Sequence, residues 1–141
     1  MLYFSSKLNT QKYKSAANIL SAALNLFNIK YKLLNNTKDI WLRDFMPVKT
    51  KSGKYVSFRY EPSYLADDPQ LRTNFKTDIA PSFKVDNLVY SDINLDGGNV
   101  VFSPSKERVI ISDRVFSENP EYGKNTLLLE LENLLEASLI I

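Results

Sequence analysis

Two short stretches of this sequence combine residue types that could bind or transform a ligand. The first, "DIWLRDFMP", contains the only tryptophan of the chain, Trp41, together with Arg43 and Asp44. A carboxylate such as Asp44 can accept two parallel hydrogen bonds from a planar cation, and an indole can cover the face of that cation. The alternative is a Trp41 buried in the core, with Arg43 and Asp44 forming an ion pair in solvent. The stretch therefore indicates a cation site or an ordinary structural segment.

The second stretch, "DGGNV", begins at Asp96. Asp96 offers a hydrogen-bond acceptor, Asn99 offers both donor and acceptor, and Gly97 and Gly98 allow positive φ and a close approach of the backbone to a ligand. The alternative is a tight hairpin turn, because Asp-Gly is the commonest signal for a type I′ turn.

Taken together, the two stretches favour a site for a guanidinium group. We expect Asp44 and Asp96 at the ends of neighbouring strands, and a guanidinium offers five N–H donors in one plane to such a pair. A buried carboxylate without a cation would be costly. Arg59 is a further candidate, which would recognise a substrate carboxylate at the same mouth; alternatively it is a surface residue paired with Glu61.

The composition narrows the chemistry. The chain has 141 residues, a formal charge of +2, no cysteine and no histidine. It is long enough for one ordinary domain, and its charge is too small and too dispersed to favour nucleic acid or an anionic membrane as a partner. The two absences remove disulfides, thiolate nucleophiles, the usual general base and the commonest zinc ligands, so we predict no metal site and no cofactor. With no signal peptide and no apolar run of roughly 20 residues, a cytoplasmic location is expected.

Hydrophobic periodicity predicts an α/β fold. A strand at 2–4, a helix at 13–27 capped by Thr10, and a strand at 29–34 form a β-α-β unit. The rest is predicted as a strand through "DIWLRDFMPVKT", a hairpin turn at Gly53 into "YVSFRY", a loop at 62–83 leading into a short helix, strands at 88–90, 99–103 and 108–112, a helix from Thr126, and a strand from Leu139. This order suggests one domain, 1–141, built from two similar modules of mixed, mostly antiparallel sheets at about 1–70 and 71–141, with "RDFMP" and "DGGNV" at comparable places.

At this point the residues carry a resemblance to a known family. "TKDIWLRDFMP" and "LDGGNVV", supported by "FRYEPSYL" and "VIISDRVFSENP", resemble the agmatine deiminases and bacterial-type peptidylarginine deiminases of the pentein superfamily. The resemblance implies an α/β propeller of five ββαβ-type modules around a central site. It also implies that a cysteine attacks the guanidinium carbon, that ammonia leaves, and that water releases a ureido product, while a His-x-Asp pair handles protons.

Carried onto this sequence, the resemblance implies specific roles. Asp44 and Asp96 would be the two carboxylates that hold the guanidinium, and Trp41 the aromatic residue facing the substrate. Arg43 would support the loop, and Asn99 would hold the glycine corner of Gly97 and Gly98 together.

The sequence departs from the family pattern in two ways. Asp96 stands where the agmatine enzymes usually have glutamate, which leaves agmatine, arginine and peptidyl-arginine open as substrates. The cysteine and histidine are absent, so the resemblance predicts the N-terminal portion of a partial propeller, inactive as an isolated chain. Two alternatives remain: a non-catalytic remnant that binds guanidino small molecules or arginine residues, and an interaction module. In the latter, the open strand "SLII" would pair with a C-terminal half or with a second copy of the chain.

Overall fold

Three small sheets and four α-helices make up the fold in a computed structural model, which describes residues 1–141. The strands are β1 Leu2–Ser5, β2 Tyr31–Leu34, β3 Val48–Lys49, β4 Tyr55–Arg59, β5 Leu88–Asn94, β6 Val101–Phe102, β7 Arg108–Ile110 and β8 Ser138–Ile140. The helices are α1 Lys14–Leu26, α2 Leu42–Phe45, α3 Arg114–Ser117 and α4 Lys124–Leu135. Short 3₁₀ turns lie at Ser6–Asn9, Ser63–Leu65, Pro69–Leu71 and Gly97–Asn99, and a π-helical turn at Phe75–Ile79. None of these helices is long and apolar enough to cross a lipid bilayer.

The predicted β-α-β unit is confirmed. β1 and β2 pair in parallel around α1, and the buried hydroxyls of Ser5 and Thr37 lie 2.6 Å apart at the end of this sheet. The predicted cap is wrong. Thr10 instead ends the preceding 3₁₀ turn, where its hydroxyl and its N–H both donate to the carbonyl of Lys7. Because that extra turn is inserted, α1 begins only after Tyr13.

The second and third sheets share one topology. β3 and β4 form an antiparallel hairpin, and β5 then returns parallel to β4. β6 and β7 form the next hairpin, and β8 returns parallel to β7 after α3 and α4. Gly53 lies in the first hairpin turn with φ of 92°, as predicted. The sheets are mixed, but "mostly antiparallel" is wrong, because each crossover connection adds a parallel pair and three of the five pairings are parallel.

Two predicted strands are largely replaced by turns. "DIWLRDFMPVKT" forms the one-turn helix α2 and only two strand residues, and the predicted strand at 99–103 shrinks to β6 because the Gly97–Asn99 turn precedes it. β5 is longer than predicted, since its pairing with β4 continues as far as Asn94. The two motifs thus occupy corresponding places, each before the first strand of a hairpin. The predicted division near residue 70 falls between β4 and β5, which belong to one sheet.

Two hydrophobic clusters flank the motifs. The larger packs the stripe Leu127, Leu131 and Leu135 of α4 against residues of the second and third sheets and of the turns beside them, including Val100. The smaller cluster contains six buried residues: Leu42, Phe45, Tyr60, Leu65, Phe75 and Ile79. α2 is therefore anchored in the smaller cluster and the "DGGNV" turn in the larger one.

Candidate functional site

The two motifs are in direct contact, and the glycines make that contact possible. A Cβ atom on Gly97 would collide with the carbonyl oxygen of Arg43, and one on Gly98 would collide with the carboxylate of Asp44. The N–H of Gly98 also acts on the Asp44 carboxylate, where it lowers the pKa. Neither glycine has positive φ, so the type I′ turn considered from the sequence is wrong. The glycines permit close approach to α2.

Arg43 and Asn99 hold this contact from the outside. Nη2 of Arg43 donates to the carbonyl of Val100 at 2.8 Å, which ties α2 to the start of β6. Oδ1 of Asn99 accepts from the N–H of Ser112 at 3.0 Å, which ties the glycine turn to the end of β7. Arg43 forms no ion pair with Asp44. Both residues therefore lie where they can support the loops.

Trp41 lies on the surface at the start of α2. Its side chain is 61% exposed, so the alternative of a tryptophan buried in the core is wrong. Leu42 and Phe45 of the same helix fill the core instead. An exposed indole three residues before Asp44 is available to cover a ligand.

Asp44 and Asp96 are both partly buried carboxylates without an ion-pair partner. Burial raises the pKa of Asp44, against the opposing effects of the Gly98 N–H and the Arg43 charge. Burial likewise raises the pKa of Asp96, and the charge of Arg114 opposes this rise. The negative charge of Asp44 raises the pKa of Asp96 further, so the two carboxylates are within electrostatic reach of each other.

Two tyrosines that the sequence reasoning missed join the carboxylates. The hydroxyls of Tyr60 and Tyr64 lie 3.2 Å apart, and that of Tyr64 donates to Oδ2 of Asp96 at 3.4 Å. Burial raises the pKa of Tyr60, and the charges of Asp44 and Asp96 add to this effect. The stretch "FRYEPSYL" contained both tyrosines, but their meeting depends on the 3₁₀ turn Ser63–Leu65.

Arg114 and Glu118 were also missed. The guanidinium of Arg114 lies 4.7 Å from the ring centre of Tyr64, and its Nη2 donates to Oε1 of Glu118 at 2.7 Å. Both residues come from "SDRVFSENP", where their spacing is typical of any exposed helical ion pair. Nothing in the sequence distinguished this pair from a surface one.

Arg59 is not brought to the two carboxylates. Its guanidinium pairs with Glu121 at 3.2 Å and with Glu61 at 3.9 Å, and it lines a separate cleft of about 440 Å³ beside β4 and β5. Its buried Nε has no hydrogen-bond partner. The alternative of a surface residue paired with Glu61 describes this position better. No group of acidic side chains in the structure could hold a metal ion.

Comparison with known proteins gives a likeness in structure alone. No family model and no curated sequence matches the chain. The agmatine deiminase of C. jejuni superposes with a TM-score of 0.64 at 15% identity, over 99% of this chain and 51% of that one. This chain shares its fold with part of the agmatine deiminases. A cysteine-to-serine variant of the C. jejuni enzyme with substrate bound matches with a TM-score of 0.59 at 16% identity, over the same shares of the two chains.

A structure provisionally named as a peptidyl-arginine deiminase matches as well, with a TM-score of 0.56 at 20% identity over 78% of this chain and 34% of that one. The resemblance predicted from the two motifs is thus confirmed as a likeness to agmatine and peptidyl-arginine deiminase structures. The chain spans between about a third and a half of the proteins it matches.

Proposed function

We propose that this chain is the guanidinium-binding portion of a guanidine deiminase, acting on agmatine, arginine or an arginine residue. The observation that carries the proposal is the pair Asp44 and Asp96, which are partly buried, within electrostatic reach of each other, and without an ion-pair partner. A guanidinium would supply the missing charge and could donate to both carboxylates at once.

The residues around the pair support this ligand. Tyr64 already donates to Asp96, and both carboxylates keep further acceptor capacity for the ligand. The exposed indole of Trp41 would cover the cation or its alkyl stem. Because a bound cation favours the ionised carboxylates, binding should weaken as the pH falls and Asp44 and Asp96 take up protons.

The isolated chain should bind without turnover. Hydrolysis of a guanidinium C–N bond by the covalent route needs a nucleophile and a group that carries protons near neutral pH, and this chain contains no cysteine and no histidine. Tyr60 and Tyr64 do not replace them, because burial raises the pKa of both. We propose that the missing groups come from a C-terminal half, joined to this part or supplied by a partner chain. The repeated hairpin-crossover-strand topology supports its placement in a partial propeller.

The test is a calorimetric titration with agmatine and with arginine. Asp44→Asn and Asp96→Asn should each weaken binding by about 10-fold or more, because a charge-assisted contact contributes roughly 1.5–3 kcal/mol. Asp67→Asn is the matched control, since this exposed aspartate makes no side-chain hydrogen bond. Unchanged affinity in both site variants would sink the proposal. Release of ammonia by the purified chain would contradict the expected lack of turnover.

A second candidate function is assembly with another copy. β8 is an edge strand, the β1–β2 sheet has only two strands, and Leu26 and Phe27 at the end of α1 are exposed. Charge favours a head-to-tail contact, because residues 1–38 hold six lysines and no acid, whereas residues 117–141 hold five glutamates and one lysine.

Sedimentation velocity tests this second function. We expect larger species at low salt that dissociate at about 1 M salt, where charges are screened within roughly 3 Å. Phe27→Ser should weaken the association, and Tyr13→Ser is the control for a general loss of aromatic surface in the same unit. A monomer at every concentration and salt would exclude self-assembly.

A further inference from the structure

The protein places a cation of its own, the side chain of Arg114, on the Asp96 side of the site. Arg114, the first residue of α3, holds its guanidinium 4.7 Å from the ring centre of Tyr64. The same tyrosine donates its hydroxyl hydrogen to Oδ2 of Asp96 at 3.4 Å. Arg114 and Asp96 also line one small indentation together with Asn99. A ligand bound at Asp96 therefore meets a fixed positive charge nearby.

Glu118 fixes the position of this cation. Its carboxylate accepts from Nε and Nη2 of Arg114 at 3.0 and 2.7 Å, and from the N–H and hydroxyl of Ser63 at distances of 2.6–3.1 Å. It also accepts from Nδ2 of Asn94 at 3.1 Å. Glu118 thus joins the turn that carries Tyr64, the strand that leads to Asp96, and α3. The position of Arg114 is set by several elements at once.

One edge of the Arg114 guanidinium remains free. Its Nη1 makes no hydrogen bond, and the side chain is 40% exposed. A guanidinium whose Nε and Nη2 are occupied by Glu118 can still donate through Nη1 to a second acceptor. The indentation beside Asp96 holds only about 10 Å³, so such an acceptor would approach Arg114 from the solvent side.

The ion pair with Glu118 does not cancel the Arg114 charge at Asp96. Burial is the main influence on the Asp96 pKa and raises it; the charge of Arg114 lowers it and outweighs the opposing charge of Glu118. At Asp96, the positive charge of Arg114 therefore has more effect than the negative charge of Glu118. A ligand carboxylate that approaches Nη1 from the solvent side would be attracted to Arg114 and could accept a hydrogen bond from it, whereas a second ligand cation placed there would be repelled by Arg114.

We propose that Arg114 makes this site selective for guanidino ligands that carry a carboxylate, such as arginine, over ligands with a second cation, such as agmatine. The inference rests on the proposed function, because it requires that a guanidinium binds at Asp44 and Asp96. An exposed charge contact changes affinity by up to about fivefold, so attraction of one ligand and repulsion of the other together give about 3- to 30-fold.

The experiment compares arginine, agmatine and N-acetylarginine methylamide, which has neither the carboxylate nor the second cation, by calorimetry at low salt. The unaltered chain should bind arginine most tightly and agmatine most weakly. Arg114→Gln should remove the preference, and Arg114→Lys should keep part of it, because the charge remains. Arg108→Gln, which alters an exposed arginine of β7 without an ion pair, should leave the ratio unchanged.

The outcomes separate this inference from the proposed function. If none of the three ligands binds, the guanidinium site itself is refuted and the inference falls with it. If all bind, but agmatine binds as tightly as arginine in the unaltered chain, only the role of Arg114 is refuted. An arginine preference that survives in Arg114→Gln would refute it too, and the circular dichroism spectrum of that variant would exclude misfolding. Should Arg114→Gln not fold, the ligand ratio in the unaltered chain and in Arg114→Lys still decides.

Discussion

Replacing Gly98 with alanine should damage the site more than the fold. The added Cβ atom would collide with the carboxylate of Asp44, while the φ angle of Gly98 is one that alanine can adopt. The backbone therefore has no reason to change, and the Asp44 side chain must rotate away. It would then move away from the Gly98 N–H, which lowers the Asp44 pKa in the unaltered chain.

The structure sets the size of both effects. The collision and the displaced side chain at a partly buried site should lower the free energy of unfolding by about 1–3 kcal/mol. For a chain of this length, each kcal/mol corresponds to roughly 4 °C in Tm. Guanidinium affinity should fall by at least about 10-fold, because one of its two carboxylates is misplaced. Gly97→Ala should lower the free energy of unfolding more than Gly98→Ala does. Its added Cβ atom would collide with the backbone carbonyl oxygen of Arg43, which cannot rotate aside as a side chain can.

Urea denaturation and calorimetric titration of the same samples measure the two effects. Gly123→Ala is the matched control: its Cβ would lie 3.7 Å from the Thr126 hydroxyl, an ordinary contact, and its backbone is extended. As an N-cap substitution it should cost no more than about 1 kcal/mol. If Gly98→Ala matches this control in stability and binds ligand like the unaltered chain, contact between the two motifs does not position Asp44.

Three further substitutions test other parts of the structure. Asp96→Asn should raise Tm at pH 7 while it weakens guanidinium binding. Because the pKa of Asp96 is raised in the native state, that state binds the carboxyl proton more tightly than the unfolded chain does. The ionised carboxylate therefore costs stability once the pH exceeds the native pKa. A lower Tm would contradict this. Asn119→Ala should destabilise the fold by about 2–4 kcal/mol in urea, because it breaks three buried hydrogen bonds, whereas the exposed Asn125→Ala should be nearly neutral. Glu136→Gln should reduce stability near pH 6 but much less near pH 2. Hydrogen bonds from Ser52 are the main cause that lowers the pKa of Glu136 to about 2. The stabilisation by the ionised carboxylate is therefore lost as the pH falls from about 4.5 through about 2. An equal loss at both pH values would contradict this reasoning.

Elements with a strong local signal were predictable from the sequence. α1 and α4 show apolar residues at helical spacing over three turns or more, and the predicted bounds lie within two residues of those observed at α1 and at the start of α4. The turn at Gly53 needs a positive φ, which glycine adopts at low cost. Each of these features depends on residues close together in sequence.

The local structure of the first motif could not be predicted in the same way. α2 is a single turn, and its apolar residues Leu42 and Phe45 are too few to show a period. Its conformation depends on a core to which Leu65, Phe75 and Ile79 contribute from far along the chain. The parallel orientation of β4 and β5 could not be predicted from local sequence either. The segment that connects these strands shows no helical period, so the sequence did not reveal it as a crossover connection.

Hairpin geometry explains why the side chains of this site meet. In an antiparallel hairpin, the start of the first strand and the end of the second lie at the same end. Asp44 precedes β3 and Tyr64 follows β4, while Asp96 precedes β6 and Arg114 follows β7. The first hairpin therefore brings Asp44 and Tyr64 to the same end, and the second hairpin does the same for Asp96 and Arg114. The contact of the glycine turn with α2 then joins the two ends into a single site. The spacing of these residues along the chain follows from the repeated topology, and the residue type at each place sets the chemistry.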